Sequence, residues 1–327
     1  MKILYVASRW DYGEPERGLS FEHLNFYDCL EHLGHELNYF DYVALTQELG
    51  LERMNQRLLQ TARELKPHLL FACVQGLDVQ PSVFQSISEG GVTQTFHWFC
   101  DDHFRFEKFS QHLSPAFNWV ATTASCALPK YRRIGYDHVI KTQWACNHFL
   151  YRRLGLPLKY DVSFVGRVFR DRPALIERLR GAGLNVMVRG HGWPEGRATQ
   201  EEMIRIFNQS RINLNLSAPA KHVNWFKRLL GREQPPHQIK GRNFEVPGCG
   251  GFLLTDHADN LEEYYAPGKE IVLFENFKDL VDKVHYYLGH ETERTAIAEA
   301  GYQRTLREHT YELRFKQIFQ RLGFPET

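Results

Sequence analysis

Residues 51–74 read LERMNQRLLQTARELKPHLLFACV. Leu51 to Leu65 has the composition of a helix, and Pro67 marks its end, because proline lacks an amide donor and cannot continue the ladder. Leu69-Leu70-Phe71-Ala72-Cys73-Val74 then runs apolar without alternation. A strand apolar on both faces is covered on both faces, which is the situation in a parallel sheet flanked by helices. The unit predicts an α/β fold.

The neighbouring segments repeat the pattern. Ile3 to Ala7 reads as a strand, and Phe21 to Leu33 as a helix carrying Leu24, Tyr27, Leu30 and Leu33 and stopping at Gly34. Leu37 to Phe40, Val92 to Phe99 and Trp119 to Thr123 read as further strands. A basic stretch with a proline, Tyr151 to Lys159, interrupts the alternation. It restarts with strands at Val162–Val165, Leu184–Val188, Ile212–Leu216, Gly251–Leu254 and Ile271–Phe274. Helices are expected at Pro173–Leu179, near Glu201–Phe207, near Arg242 and from Leu280 onward. Two doubly wound domains are therefore expected, with ligands at the carboxyl ends of the strands in a cleft between them.

Bulk properties narrow the function. The chain has 327 residues, with 40 Lys+Arg against 39 Asp+Glu and a net charge of +1. That balance argues against coating nucleic acid or anionic membrane through overall charge. Six cysteines without a Cys-x-x-Cys pair predict reduced thiols, not a disulfide framework or a structural zinc site. No apolar run approaches the length of a membrane span, and the N-terminal apolar run is too short for a signal peptide, so a cytoplasmic protein is expected. His32 and His35 straddle a helix stop without a matched carboxylate, and no metal is expected there.

The chemistry concentrates in Gln238–Asp256, QIKGRNFEVPGCGGFLLTD. Lys240 and Arg242 are suited to a diphosphate, and Glu245 to a ribose, on a helix that runs into a glycine-rich turn and a strand ending in Thr255-Asp256. The same residues are also compatible with a solvated helix start followed by a C-cap. Near the ends of first-domain strands stand Asp11, in Ser8–Gly13, and His97, Asp101 and Asp102, in Phe96–His103. Any of these could be a loop cap, an acceptor contact or a general base. Lys221, Trp225, Phe226, Lys227, Arg228 and Arg232 mark a basic, aromatic loop suited to covering a ligand or to a surface excursion. Ser20 is expected to cap the first helix.

Gln238–Asp256, with Leu261–Tyr265 and Gly268–Val272, resembles the C-terminal half of the spore-maturation CgeB-like glycosyltransferases, among the group 1 glycosyl transferases of GT-B fold. Asp161–Arg167, Arg211–Ser217, Ile297–Tyr302 and Arg307–Tyr311 extend the resemblance. Gly34–Glu36, Phe99–Asp102, Tyr131–Tyr136 and Trp144–Asn147 carry it into the first half. The resemblance implies an acceptor-side domain over 1–155 and a nucleotide-sugar-binding domain over 156–307. A final helix over 308–327 would cross back onto the first domain.

It further implies metal-independent transfer of a hexosyl or related group from a nucleoside-diphosphate sugar, of UDP type, to an acceptor hydroxyl, with no cofactor. Arg167 and Arg172 match basic residues at the donor diphosphate, and Glu245 matches the ribose-binding glutamate. Trp193, in Gly190–Trp193, falls beside the nucleobase position, where it can line the base or cap the sheet. The family often has a second glutamate eight residues before Glu245; this chain has His237, which leaves inversion and retention both open. A sugar-nucleotide epimerase or hydrolase, or a non-catalytic binding protein, would share this architecture. A dinucleotide oxidoreductase is disfavoured, because the first strand leads into Ser-Arg-Trp-Asp-Tyr-Gly and not a Gly-x-Gly-x-x-Gly turn.

Overall fold

The computed structural model describes residues 1–169, 171–217 and 237–325. The chain divides into two compact units, one of Met1–Gln143 with Tyr311–Thr327 and one of Trp144–Thr310.

The first unit holds strands β1 (Lys2–Ala7), β2 (Glu36–Asp41), β3 (Leu69–Cys73), β4 (Gln94–Phe99), β5 (Trp119–Thr122) and β6 (Val139–Lys141). They form one parallel sheet in the order β2-β1-β3-β4-β5-β6. Ile3 to Ala7 and Leu69 to Cys73 are buried throughout, as their unbroken apolar runs require. The helix over Phe21–His32 begins with Ser20 accepting from the His23 amide at 3.1 Å, passes through a π-helical turn at His23–Tyr27, and continues as α1 (Asp28–His32). Next come α2 (Tyr42–Leu49), which Asp41 caps through the amides of Val43 and Ala44, and α3 (Leu51–Leu65). The latter buries Met54, Leu58 and Ala62 on one face, and left-handed Lys66 ends it. The sequence pattern omits α2, α4 (Pro81–Glu89) and β6, all short elements whose periodicity is brief.

The second unit holds β7 (Tyr160–Val165), β8 (Val186–Arg189), β9 (Ser210–Asn215), β10 (Leu253–Asp256) and β11 (Val272–Phe274). They too are all parallel, in the order β11-β10-β9-β7-β8. Among the described residues its helices are α5 (Arg172–Gly181), α6 (Gln200–Gln209), α7 (Arg242–Gly248), α8 (Phe277–Gly289) and α9 (Glu291–Glu308). Thr199 and Glu202 form a reciprocal capping box on α6. Last comes α10 (Tyr311–Arg321), which belongs to the first unit. Its Tyr311 and Phe315 rings lie 5.2 and 5.8 Å from Phe26, and Phe315 also meets Phe71 and Trp98.

Both sheets reverse winding direction at the same place. In each unit the first strand is flanked by the second on one side and the third on the other, so the switch points lie between β1 and β3 and between β7 and β9. Connections leave these strand pairs toward opposite faces and open a crevice at the carboxyl ends, the usual ligand position in this topology.

Candidate functional site

In the second unit the crevice is basic. Arg167 follows β7 and is exposed, and its guanidinium lies 5.4 Å from the Phe169 ring. Arg172 opens α5, donates to the carbonyls of Arg167 (3.1 Å) and Leu216 (2.9 Å), and stacks over Phe164 at 5.3 Å. It thereby joins the loops after β7 and β9. Burial lowers the Arg172 pKa to about 10, and the like charges of Arg242 and Arg167 add to the shift. The Nε atoms of Arg172 and Arg242 are buried without a hydrogen-bond partner among the described residues. No ion pair engages Arg167, Arg172 or Arg242 among those residues either.

Of the remaining donor-side candidates, Glu245, Thr255 and Trp193 are buried, and Lys240 and Asp256 are partly exposed. Glu245 on α7 is 3% exposed; burial raises its pKa, against the lowering influence of Arg242 and of a hydrogen bond from the Tyr151 hydroxyl. Lys240 lies before the start of α7 and not on it: its Nζ donates to Gln238 Oε1 at 2.9 Å, and its amide donates to Asn243 Oδ1 at 2.9 Å. Asn215 at the end of β9 donates to both Asn243 Oδ1 (3.2 Å) and Thr255 Oγ1 (3.1 Å). This Asn215–Asn243–Thr255 network, absent from the sequence reading, seats α7 on the sheet edge.

Thr255, Asp256 and Trp193, the other donor-side candidates, each have partners within the protein. Thr255 is fully buried within that network. Asp256 accepts from the Ser217 amide at 2.6 Å and lies 3.5 Å from His237 Nδ1, tying together the two residues that flank 218–236. Trp193 is 8% exposed and donates through Nε1 to the Gly166 carbonyl at 2.8 Å, so it caps the sheet. Gly190 lies under the same turn at φ 149°, where a Cβ would meet Gly166 O at 2.1 Å; only glycine allows the two backbones to approach this closely. The basic loop residues Lys221, Trp225, Phe226, Lys227, Arg228 and Arg232 lie outside the described residues.

In the first unit the crevice is acidic. Asp11 sits in the loop after β1, which is closed by pairing of Trp10 with Leu19 and by Ser20 donating to the Ser8 carbonyl at 2.7 Å. Asp101 follows β4 and is partly exposed. The sequence reading missed Glu22, whose Oε1 accepts from Gln75 Nε2 at 3.1 Å. Burial pushes Glu22 up to about 7, and the negative charges of Asp11 and Asp101 add to the shift.

His97 and Asp102, the other two acceptor-side candidates, lie beneath the strand ends. His97 is wholly buried, its Nε2 accepts from the Val74 amide at 3.1 Å, and burial lowers its pKa to about 3. Asp102 is wholly buried and accepts from the Ser110 and Tyr131 hydroxyls, the latter at 2.7 Å; burial raises its pKa against these bonds. Both brace the core beneath the strand ends.

A cavity of about 260 Å³ lies at the other end of the second sheet, beside Ser210 and Phe252. Its arginines already have partners: Arg153 pairs with Glu299, Arg211 with Asp161, and Arg294 donates to the carbonyls of Tyr287 and Leu288. It contributes nothing to the basic crevice.

A family model described as glycosyl transferase-like matches residues 170–320, which include Arg172, Arg242 and Glu245. The chain is similar to the CgeB-like group 1 glycosyltransferases. It is 22% identical over 242 residues to the spore protein CgeB of Bacillus subtilis (strain 168), covering 68% of this chain and 74% of CgeB. Its fold resembles sucrose-phosphate synthase from Thermosynechococcus elongatus, with a TM-score of 0.66, 11% identity and 99% of each chain covered. It also resembles Anabaena HepE in complex with UDP-glucose, with a TM-score of 0.63, 13% identity and again 99% of each chain covered. The two parallel-sheet units are those of the GT-B fold. No helix among the described residues is long and apolar enough to cross a membrane.

Proposed function

We propose that this glycosyltransferase takes its sugar from a nucleoside diphosphate, of UDP type, bound at the carboxyl edge of the second sheet. The observation that carries the reading is the pair of buried Nε atoms on Arg172 and Arg242 that have no hydrogen-bond partner among the described residues. Burying a guanidinium nitrogen without a hydrogen-bond partner is costly, and a diphosphate oxygen would supply that partner in a charge-assisted hydrogen bond. In the transfer, the bond between the anomeric carbon and the diphosphate oxygen breaks and the acceptor oxygen takes its place. Arg167, Arg172 and Arg242 stabilise the charge on the departing diphosphate. Glu245 takes the ribose hydroxyls, and Lys240 stands at the entry to α7. HepE, bound to UDP-glucose at low identity, supports the donor class by analogy. If the configuration inverts, Asp11 and Asp101 are the carboxylates suited to accept the acceptor proton.

The test is calorimetric titration with UDP, GDP, dTDP and CDP, repeated on Glu245→Ala and Asp101→Asn. UDP is expected to bind, Glu245→Ala to weaken it by about 10-fold or more, and Asp101→Asn to leave it within about 2-fold. No binding of any nucleotide by folded protein would end the donor assignment. Equal losses in the two variants would end the division of roles.

A further inference from the structure

The first unit's switch point gathers three side chains from distant parts of the chain. Glu22 lies at the start of the helix that follows β1, Cys73 is the last residue of β3, and Cys100 is the first residue after β4. Because β1, β3 and β4 are neighbours in the sheet, one ligand-type atom from each lies within 4.8 Å of the other two. The two sulfurs are 3.7 Å apart. Two thiolates on one tetrahedral zinc, each at about 2.3 Å, stand about 3.8 Å from each other. A disulfide would require the sulfurs to close to about 2.05 Å.

All three atoms also face one point. Gln75 Nε2 occupies it, 3.1 Å from Glu22 Oε1, 3.9 Å from Cys73 Sγ and 3.8 Å from Cys100 Sγ. Arg105 holds Gln75 from the other side, through its side-chain oxygen at 3.3 Å and its backbone carbonyl. The ligand atoms are thus aimed at a single electropositive group and supported by strand ends, an arrangement that needs little reorganisation to receive a cation.

We propose that Glu22, Cys73 and Cys100 form a binding site for one thiophilic divalent cation of the zinc type, which displaces the Gln75 amide nitrogen. Two sulfurs and one carboxylate oxygen suit zinc; calcium and magnesium favour all-oxygen shells. The fourth position falls to water. Such an ion would pin the start of the helix that follows β1 to the ends of β3 and β4. The inference stands independently of the nucleotide-sugar reading, because its observables are metal content and ligand spectra.

The experiment uses the full chain, purified under reducing conditions without chelator and analysed for metals by mass spectrometry. Metal-free protein is then titrated with Co²⁺ and back-titrated with Zn²⁺. About one zinc per chain is expected, together with a thiolate-to-cobalt charge-transfer band that zinc abolishes. Cys73→Ser with Cys100→Ser should lose the band, Glu22→Gln should weaken zinc binding at least 10-fold, and Cys126→Ser should retain both. Folded wild-type protein that takes up neither ion overturns the proposal, whatever the variants do. So does a Cys73–Cys100 disulfide in freshly purified protein, or a band unchanged in a folded double variant.

Discussion

The carboxyl edges of the two sheets share a winding order and differ in almost everything else. The second sheet's edge presents Arg167, Arg172 and Arg242 beside the amides and hydroxyl of Asn215, Asn243 and Thr255 and the single buried carboxylate of Glu245. The first sheet's edge presents Asp11, Glu22 and Asp101 above ionisable groups buried outright, His97 and Asp102. A net charge of +1 is therefore a sum over unlike edges. The difference teaches that doubly wound topology sets where a ligand crevice lies, while the residues at three or four strand ends set which charge it accepts. It also separates two liabilities. The basic edge depends on an anion to complete it, and the core under the acidic edge depends on pH.

The largest expected effect lies at the basic edge. Arg172→Ala combined with Arg242→Ala should weaken UDP binding by about 100-fold or more, since each charge-assisted contact to a phosphate contributes about 1.5–3 kcal/mol. The corresponding double change on the acidic edge, Asp11→Asn with Asp101→Asn, should leave UDP affinity within about 2-fold. Calorimetry on the wild type and the two double variants measures both. Comparable loss from the two double variants would collapse the distinction between the edges.

The next effect concerns the core under the acidic edge. The pKa of His97 is lowered from 6.5 to about 3, so the unfolded chain takes up its proton first as pH falls. The stabilisation from keeping this imidazole neutral is complete above pH 6.5 and is lost progressively between 6.5 and about 3. Between pH 7 and pH 5 the loss from this one group amounts to about 2 kcal/mol. Urea melts at the two pH values measure it, and His97→Gln, which keeps an acceptor for the Val74 amide, should shrink the pH difference by about that amount. An unchanged pH difference in a folded His97→Gln protein would show that the burial does not matter.

How much of this was legible in the sequence depends on whether the information was local. The continuous apolar runs at Ile3–Ala7 and Leu69–Val74 announce parallel strands, and Arg242 and Glu245 announce a helix with a charged first turn, because each pattern lies within one element. Asp101 and Asp102 show the limit. They are adjacent, yet one lies at the edge and the other points into the core at Ser110 and Tyr131, because the backbone turns into a helix between them. His97 alternates inward on a buried strand whose two faces are indistinguishable by composition. Glu22, Gln75, Cys73 and Cys100 carry no local pattern at all; only the order β1-β3-β4 brings them together. Thr255 and Asp256 mark the right strand end, but a strand end near a ligand also needs residues that hold its own loops.

Trp193 gives the smallest effect and a sharp test of that last distinction. Its indole nitrogen donates to Gly166 O at 2.8 Å, and its ring meets Phe164 edge-on at a centroid distance of 6.3 Å. Replacement by Phe keeps most of the apolar contact and removes one hydrogen bond, which leaves the Gly166 carbonyl short of a partner. A loss of about 1 kcal/mol in unfolding free energy is expected. UDP and CDP affinities should move by less than about 2-fold, since the indole supports the loop after β7 and does not stack on the base. The two readouts separate the roles. A tenfold loss of nucleotide affinity at unchanged stability would return Trp193 to the base pocket, and the basic edge would then extend from β7 and β9 to the end of β8.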